Sequence, residues 1–155
     1  MSEQNIELLR QVPLFRELSE LSLAMLDRHC QIEEVLEGDL IFAEGQRGDR
    51  FFVVFSGAIR ITRQIEGVGE EPLSVCRQGQ YFGELSMLDD EPRSADARAI
   101  EDSQLFVIRK SDLEELMFVD KAFSQEFLWV VARHLAVRLR ETNEKLRAVY
   151  QMGVL

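Results

Sequence analysis

Between two β-rich runs lies the stretch Phe82–Ala95, FGELSMLDDEPRSA, whose residue types suit an anion and a sugar held side by side. In Gly83-Glu84-Leu85-Ser86 the glycine lets backbone approach a ligand closely, and the composition fits a sharp turn into a single helical turn with outward N–H groups. Such a turn binds anions. Nine residues after Glu84, Arg93 is the one guanidinium in an acidic stretch, able to give a phosphate a bidentate, charge-assisted pair. Each hydrogen bond to a charged group is worth about 1.5–3 kcal/mol once water is excluded. Ser94 brings a hydroxyl and an N–H, with Ala95 beside it. Glu84 would repel the phosphate, so it should accept from sugar hydroxyls instead. The set describes a phosphorylated sugar. The same residues also fit a surface loop with an Arg93–carboxylate pair, and residue chemistry alone leaves both readings open.

Other chemistries find little support. The only histidines, His29 and His134, fall in helical portions, so a multi-histidine metal site cannot be built from the strands. There is no GxSxG, GxxxxGK[ST] or HExxH motif, and an enzyme is not expected. Cys30 and Cys76 lie far apart without CxxC spacing, which fits two reduced, mostly buried thiols. Asp89-Asp90-Glu91 and Glu114-Glu115 read as solvated faces.

Short elements must position the Phe82–Ala95 stretch. Leucines at helical intervals, interrupted by Pro13, predict two short N-terminal helices, with Ser19 as N-cap of the second. From Gln31 the texture changes to seven β-rich runs: 31–36, 40–43, 51–55, 58–63, 72–77, 96–99 and 104–109. Turn residues such as Gly38-Asp39, Gly45, Ser56-Gly57 and Gly67-Val68-Gly69 separate them. Seven or eight strands at this spacing predict a mainly β jelly roll with flanking helices. Ser111-Asp-Leu-Glu114 has the capping-box form, so a helix is expected to resume there.

The longest predicted element runs from about Lys121 to Tyr150. Leu128, Ala132, Leu135, Leu139, Thr142, Leu146 and Val149 alternate at spacings of four and three, a seam suited to a parallel homodimer. Phe123, Phe127, Val131, His134 and Val137 form a second stripe that would face the parent body. Thr142 is the one polar residue on the seam, and Asn143 flanks it.

The cassette and the turns before it resemble those of the cyclic nucleotide-binding domain family, the module of bacterial catabolite activators and of cyclic-nucleotide-dependent kinases and channels. The ordered series is Val12-Pro-Leu-Phe15, Leu18-Ser19, Gly38-Asp39, Ile41-Phe42, Glu44-Gly45, Gly48-Asp49, Phe52, Val54, Ser56-Gly57, Phe82–Leu85 and Arg93–Ala95. The resemblance implies that Gly83, Glu84, Leu85 and Ser86 wrap the ribose and cyclic phosphate. Glu84 would accept from the 2′-hydroxyl, Arg93 would hold an equatorial phosphate oxygen, and Ser94 would donate to the phosphate. It further implies that Thr142 and Asn143 meet the purine, one from each subunit of a dimer. Ser94 stands where cGMP-selective members tend to have threonine, which favours cAMP. Asp96 follows directly, an acid close to that anion. The DNA-reading helix-turn-helix of the catabolite activators has no counterpart before the sequence ends at Leu155, so DNA binding is not carried over.

Composition bounds the rest. The 155 residues, 46% apolar and 30% charged, suit one ordinary globular domain: a roll with N-terminal helices over 1–120, and a dimerisation helix over 121–155. Net charge is −10, divided as −13 over residues 1–120 and +3 beyond, which argues against a general nucleic-acid binder. No apolar run would span a bilayer, and MSEQNIELLR carries no export signal, so a cytoplasmic protein is expected. The expectation is a non-enzymatic sensor without metal or catalytic cofactor, with cAMP favoured over cGMP as its ligand, signalling to an unidentified protein by ligand-dependent reorientation of its C-terminal helix. The alternatives are an interaction module that keeps the roll without a nucleotide, and a jelly-roll enzyme.

Overall fold

In the computed structural model, which describes residues 3–83 and 88–153, the N-terminal leucines form two short helices, α1 (Glu3–Arg10) and α2 (Glu20–Arg28). Ser19 caps α2 as expected, its hydroxyl accepting from the Ser22 N–H at 3.2 Å. The strands follow as β1 (Cys30–Val35), β2 (Leu40–Phe42), β3 (Arg50–Ser56), β4 (Ala58–Ile65), β5 (Gly69–Arg77), β6 (Tyr81–Phe82), β7 (Asp96–Ala99) and β8 (Ser103–Arg109). They make two antiparallel four-stranded sheets, ordered β1-β8-β3-β6 and β2-β7-β4-β5, the jelly roll that the strand spacing predicts.

Strand β3 shows why the roll and the helices form one body. Its sequence, RFFVVFS, is apolar on both faces, and each face has its own partners. Phe52 and Val54 point between the sheets, among Phe42, Ile59, Phe82, Leu105 and Val107. Phe51, Val53 and Phe55 point the other way, into a core shared with Phe15, Leu23, Leu26, Phe123 and Phe127. An alternating backbone with apolar residues at every position from Phe51 to Phe55 thus builds two cores at once.

Two helices complete the chain, α3 (Lys110–Val119) and α4 (Lys121–Gln151). The expected capping box at Ser111 does not form. The β3–β8 ladder runs to Arg109, the Lys110 N–H donates to the Asp49 carbonyl at 2.8 Å, and the helix starts from extended Arg109, which leaves Ser111 inside the first turn. Asp120 caps α4 instead, accepting from the Phe123 N–H at 2.9 Å. Glu126, one turn into α4, accepts from the N–H and hydroxyl of Ser19 and from the Ser22 hydroxyl, tying this helix to α2.

The 31 residues of α4 reach about 46 Å at 1.5 Å per residue, and only the first part lies on the body. Phe123, Phe127 and Val130 are buried, and His134 packs edge-on against Tyr81. Val137 departs from its expected place: at 56% exposure it is in solvent and does not pack on the roll. The seam leucines Leu128, Leu139 and Leu146 are exposed in the single chain.

Cys30 and Cys76 are not joined in a disulfide. Burial, with Asp27 and Asp112 nearby, pushes the Cys30 thiol far above its ordinary range, so it stays neutral and unreactive. Among the described residues, no helix is long and apolar enough to cross a membrane, and no group of histidine, cysteine and acidic side chains could hold a metal ion.

Candidate functional site

Arg93 lies in an irregular segment, yet its backbone is fixed at both polar atoms. Its N–H donates to the Gln46 carbonyl at 2.8 Å, and its carbonyl accepts from the Gly45 N–H at 2.9 Å. That reciprocal pair fastens the end of the cassette to the turn after β2. The side chain is 4% exposed, so its charge sits inside the protein and needs partners. Nη1 donates to the Gly83 carbonyl at 2.9 Å and Nη2 to the Arg50 carbonyl at 2.7 Å. The Phe42 ring lies under the guanidinium, 4.1 Å from centroid to Cζ.

Gly83 has φ +82°, a conformation that favours glycine. A Cβ there would lie 2.7 Å from Arg93 Nη1 and 3.3 Å from the Arg50 carbonyl oxygen. Glycine is therefore required twice, for the backbone angle and for the approach of the guanidinium.

These groups border a cavity of about 300 Å³, at the lower end of the roughly 300–1,000 Å³ common for small-molecule sites. Phe42, Ile61 and Leu73 give the lining apolar surface, and Gly83, Arg93, Ser94 and Ala95 line the same space. Arg138 of α4 completes the lining, so the long helix forms part of the wall. Among the described lining residues, both charged ones are arginines. In a chain of net charge −10, that makes the cavity a local exception suited to an anion. Asp96, the acid beside the cassette, turns one carboxylate oxygen to the Glu44 N–H at 2.6 Å.

The residues expected from the sequence divide into three groups. Gly83, Arg93, Ser94 and Ala95 come together at the cavity. Glu84, Leu85 and Ser86 lie outside the described residues. Thr142 and Asn143 do not line the cavity in the single chain: the Thr142 hydroxyl donates to the Arg138 carbonyl at 2.9 Å, and Asn143 lies in a shallow depression on α4 with Leu146 and Tyr150. Both residues are exposed, and the intrahelical bond gives Thr142 a partner there.

Sequence reasoning missed Arg138, Phe42 and Tyr81 as lining residues. For Arg138 a signal existed, since it stands four residues before Thr142 and so on the same helix face. Tyr81 sits in a two-residue strand with no periodicity to read. His29 has its Nδ1 2.8 Å from the Met25 carbonyl.

Comparison with known proteins follows the same residues. A family model described as the cyclic nucleotide-binding domain matches residues 32–120. The chain is 30% identical to a CRP-like cAMP-activated global transcriptional regulator of Mycobacterium tuberculosis, over 90% of this chain and 61% of that protein. The crystal structure of the Thermus thermophilus catabolite activator protein superposes with TM-score 0.79 at 31% identity, over 89% of this chain and 63% of the other. The N-terminal domain of a Streptomyces coelicolor transcriptional regulator gives 0.76 at 32% identity, over 90% of this chain and 94% of that domain. The chain thus spans about 60% of the length of the curated regulator it matches.

Proposed function

The chain belongs to the cyclic nucleotide-binding domain family, and on that premise we propose that it is a non-enzymatic cytoplasmic sensor that binds cAMP in preference to cGMP. The observation that carries the reading is Arg93: a buried guanidinium, held by two backbone carbonyls, at the wall of a cavity sized for a small ligand. Arg93 and Ser94 take the cyclic phosphate, and Glu84 takes the ribose hydroxyl. Ser94 in place of threonine supports the adenine nucleotide. Calorimetric titration with cAMP and cGMP tests this: tighter binding of cAMP is expected, and failure to bind either nucleotide would leave the interaction-module alternative.

The signal leaves through α4. Arg138 brings that helix to the cavity wall, while Leu128, Leu139 and Leu146 keep an apolar seam uncovered for a second copy. In the dimer, Thr142 and Asn143 meet the base from the two subunits. A ligand touching both roll and helix binds one helix orientation better than another and so shifts the population, which an unidentified downstream protein reads. Hydrogen exchange over residues 125–150 should slow when cAMP binds. Equal protection with and without the nucleotide would contradict this route.

A further inference from the structure

We propose that Phe42 is a positioning residue, an aromatic platform that fixes the plane of the Arg93 guanidinium before an anion arrives; its consequence for affinity rests on the cyclic-nucleotide reading above. A guanidinium is a flat fork, and a bidentate pair needs that fork aimed as well as present. The carbonyls of Gly83 and Arg50 hold it by its edges, at 2.9 and 2.7 Å. Those bonds constrain position within the plane but resist tilting of the plane only weakly. The Phe42 ring supplies what edge bonds lack, with Cζ 4.1 Å from its centroid.

The ring is itself immobilised. It packs 5.9 Å from both Phe52 and Phe82, which stack on each other at 4.9 Å and 5°. Phe42 is 9% exposed and Arg93 4%, so the contact is shielded from water, where attraction of a cation to a ring face is strongest. Phe42 also lines the cavity, so the platform lies beside the space the anion would enter. An arginine held this way loses less rotational freedom when it pairs with phosphate, which raises affinity without any contact from Phe42 to that group.

The test compares cAMP binding by the parent, Phe42→Leu, Phe42→Tyr and the same Leu change in an Arg93→Lys background. Phe42→Leu should raise Kd about tenfold, the scale of one desolvated cation–π contact. Phe42→Tyr keeps a ring face and should stay within about twofold, a rescue that mere apolar filling by leucine would not give. In the Arg93→Lys background the Leu change should matter little, because no planar fork remains to orient. Parent-like binding by Phe42→Leu, or effects that simply add across the two positions, would overturn the proposal. Should Phe42→Leu not fold, Phe42→Met fills the space with a flexible side chain and takes its place.

A second measurement needs no nucleotide. In the unliganded parent the Arg93 guanidinium protons should be shifted by the ring current and rotate slowly, and both signatures should weaken in Phe42→Leu, where only the Phe52 ring, 5.8 Å from Cζ, and the two carbonyl bonds remain. A freely rotating, unshifted guanidinium in the parent would sink the platform whatever binds. Slow rotation that depends on Phe42, in a protein that ignores cAMP, would uphold the platform and refute the functional reading.

Discussion

Gly83→Ala and Gly38→Ala should behave very differently although their backbones are alike. Gly83 has φ +82° and Gly38 φ +92°, so an alanine costs either site about 1–2 kcal/mol for occupying left-handed space. At Gly38 an added Cβ meets nothing within 4 Å, and the cost ends there. At Gly83 it lies 2.7 Å from Arg93 Nη1, with the Arg50 carbonyl oxygen and the Phe52 ring at 3.3 Å. The guanidinium must move, and moving it weakens its bonds to the Gly83 and Arg50 carbonyls, a further 1.5–3 kcal/mol or so for hydrogen bonds to a charged group. The totals are about 1–2 kcal/mol for Gly38→Ala and about 2.5–5 kcal/mol for Gly83→Ala. At roughly 3 °C per kcal/mol for a domain of this size, the midpoint of thermal unfolding followed by circular dichroism should fall by about 3–6 °C and about 8–15 °C. Titration with cAMP should then show at least about tenfold weaker binding for Gly83→Ala, with Gly38→Ala unchanged. Equal melting losses and parent-like affinity in both variants would refute the claim that Gly83 sets the position of Arg93.

Two further outcomes follow from α4. Glu126→Ala removes the acceptor shared by the Ser19 N–H and the hydroxyls of Ser19 and Ser22, which should cost about 1–2 kcal/mol and lower the melting midpoint by about 3–6 °C without changing nucleotide affinity. An unchanged midpoint would mean that this tie does not hold α4 to α2. Leu139→Lys with Leu146→Lys places two charges on the exposed seam, and sedimentation should show a dimeric parent become a monomer that keeps its fold. A parent that sediments as a monomer at the same concentration would remove the seam's assigned purpose.

Much of this architecture was legible because its signals are local. Turn glycines and β-branched runs mark seven of the eight strands among the described residues, and Pro13 with Ser19 divides the N-terminal helices as the structure does. What escaped depended on packing across the fold. β6 is two residues long, Tyr81 and Phe82, and exists because it pairs with Val53 and Phe52. Ser111 has the right neighbours for a cap, but the β3–β8 ladder ends at Arg109 and sets the helix start two residues too early for it. Val137 fits an apolar stripe by spacing, yet no local signal says where α4 parts from the roll. In the site, glycine, arginine and serine were legible as anion chemistry. Arg138 reaches the cavity only through the docking of α4, and Phe42 reaches it only through the pairing of β2 with β7.

The most direct test of the whole account is one calorimetric comparison of the parent with Arg93→Leu, each shown to be folded, titrated with cAMP under identical salt. The parent should bind, and the variant should release no heat of binding at concentrations that saturate the parent, because the charge facing the phosphate is gone. Equal affinity in the two proteins would contradict the account at its root.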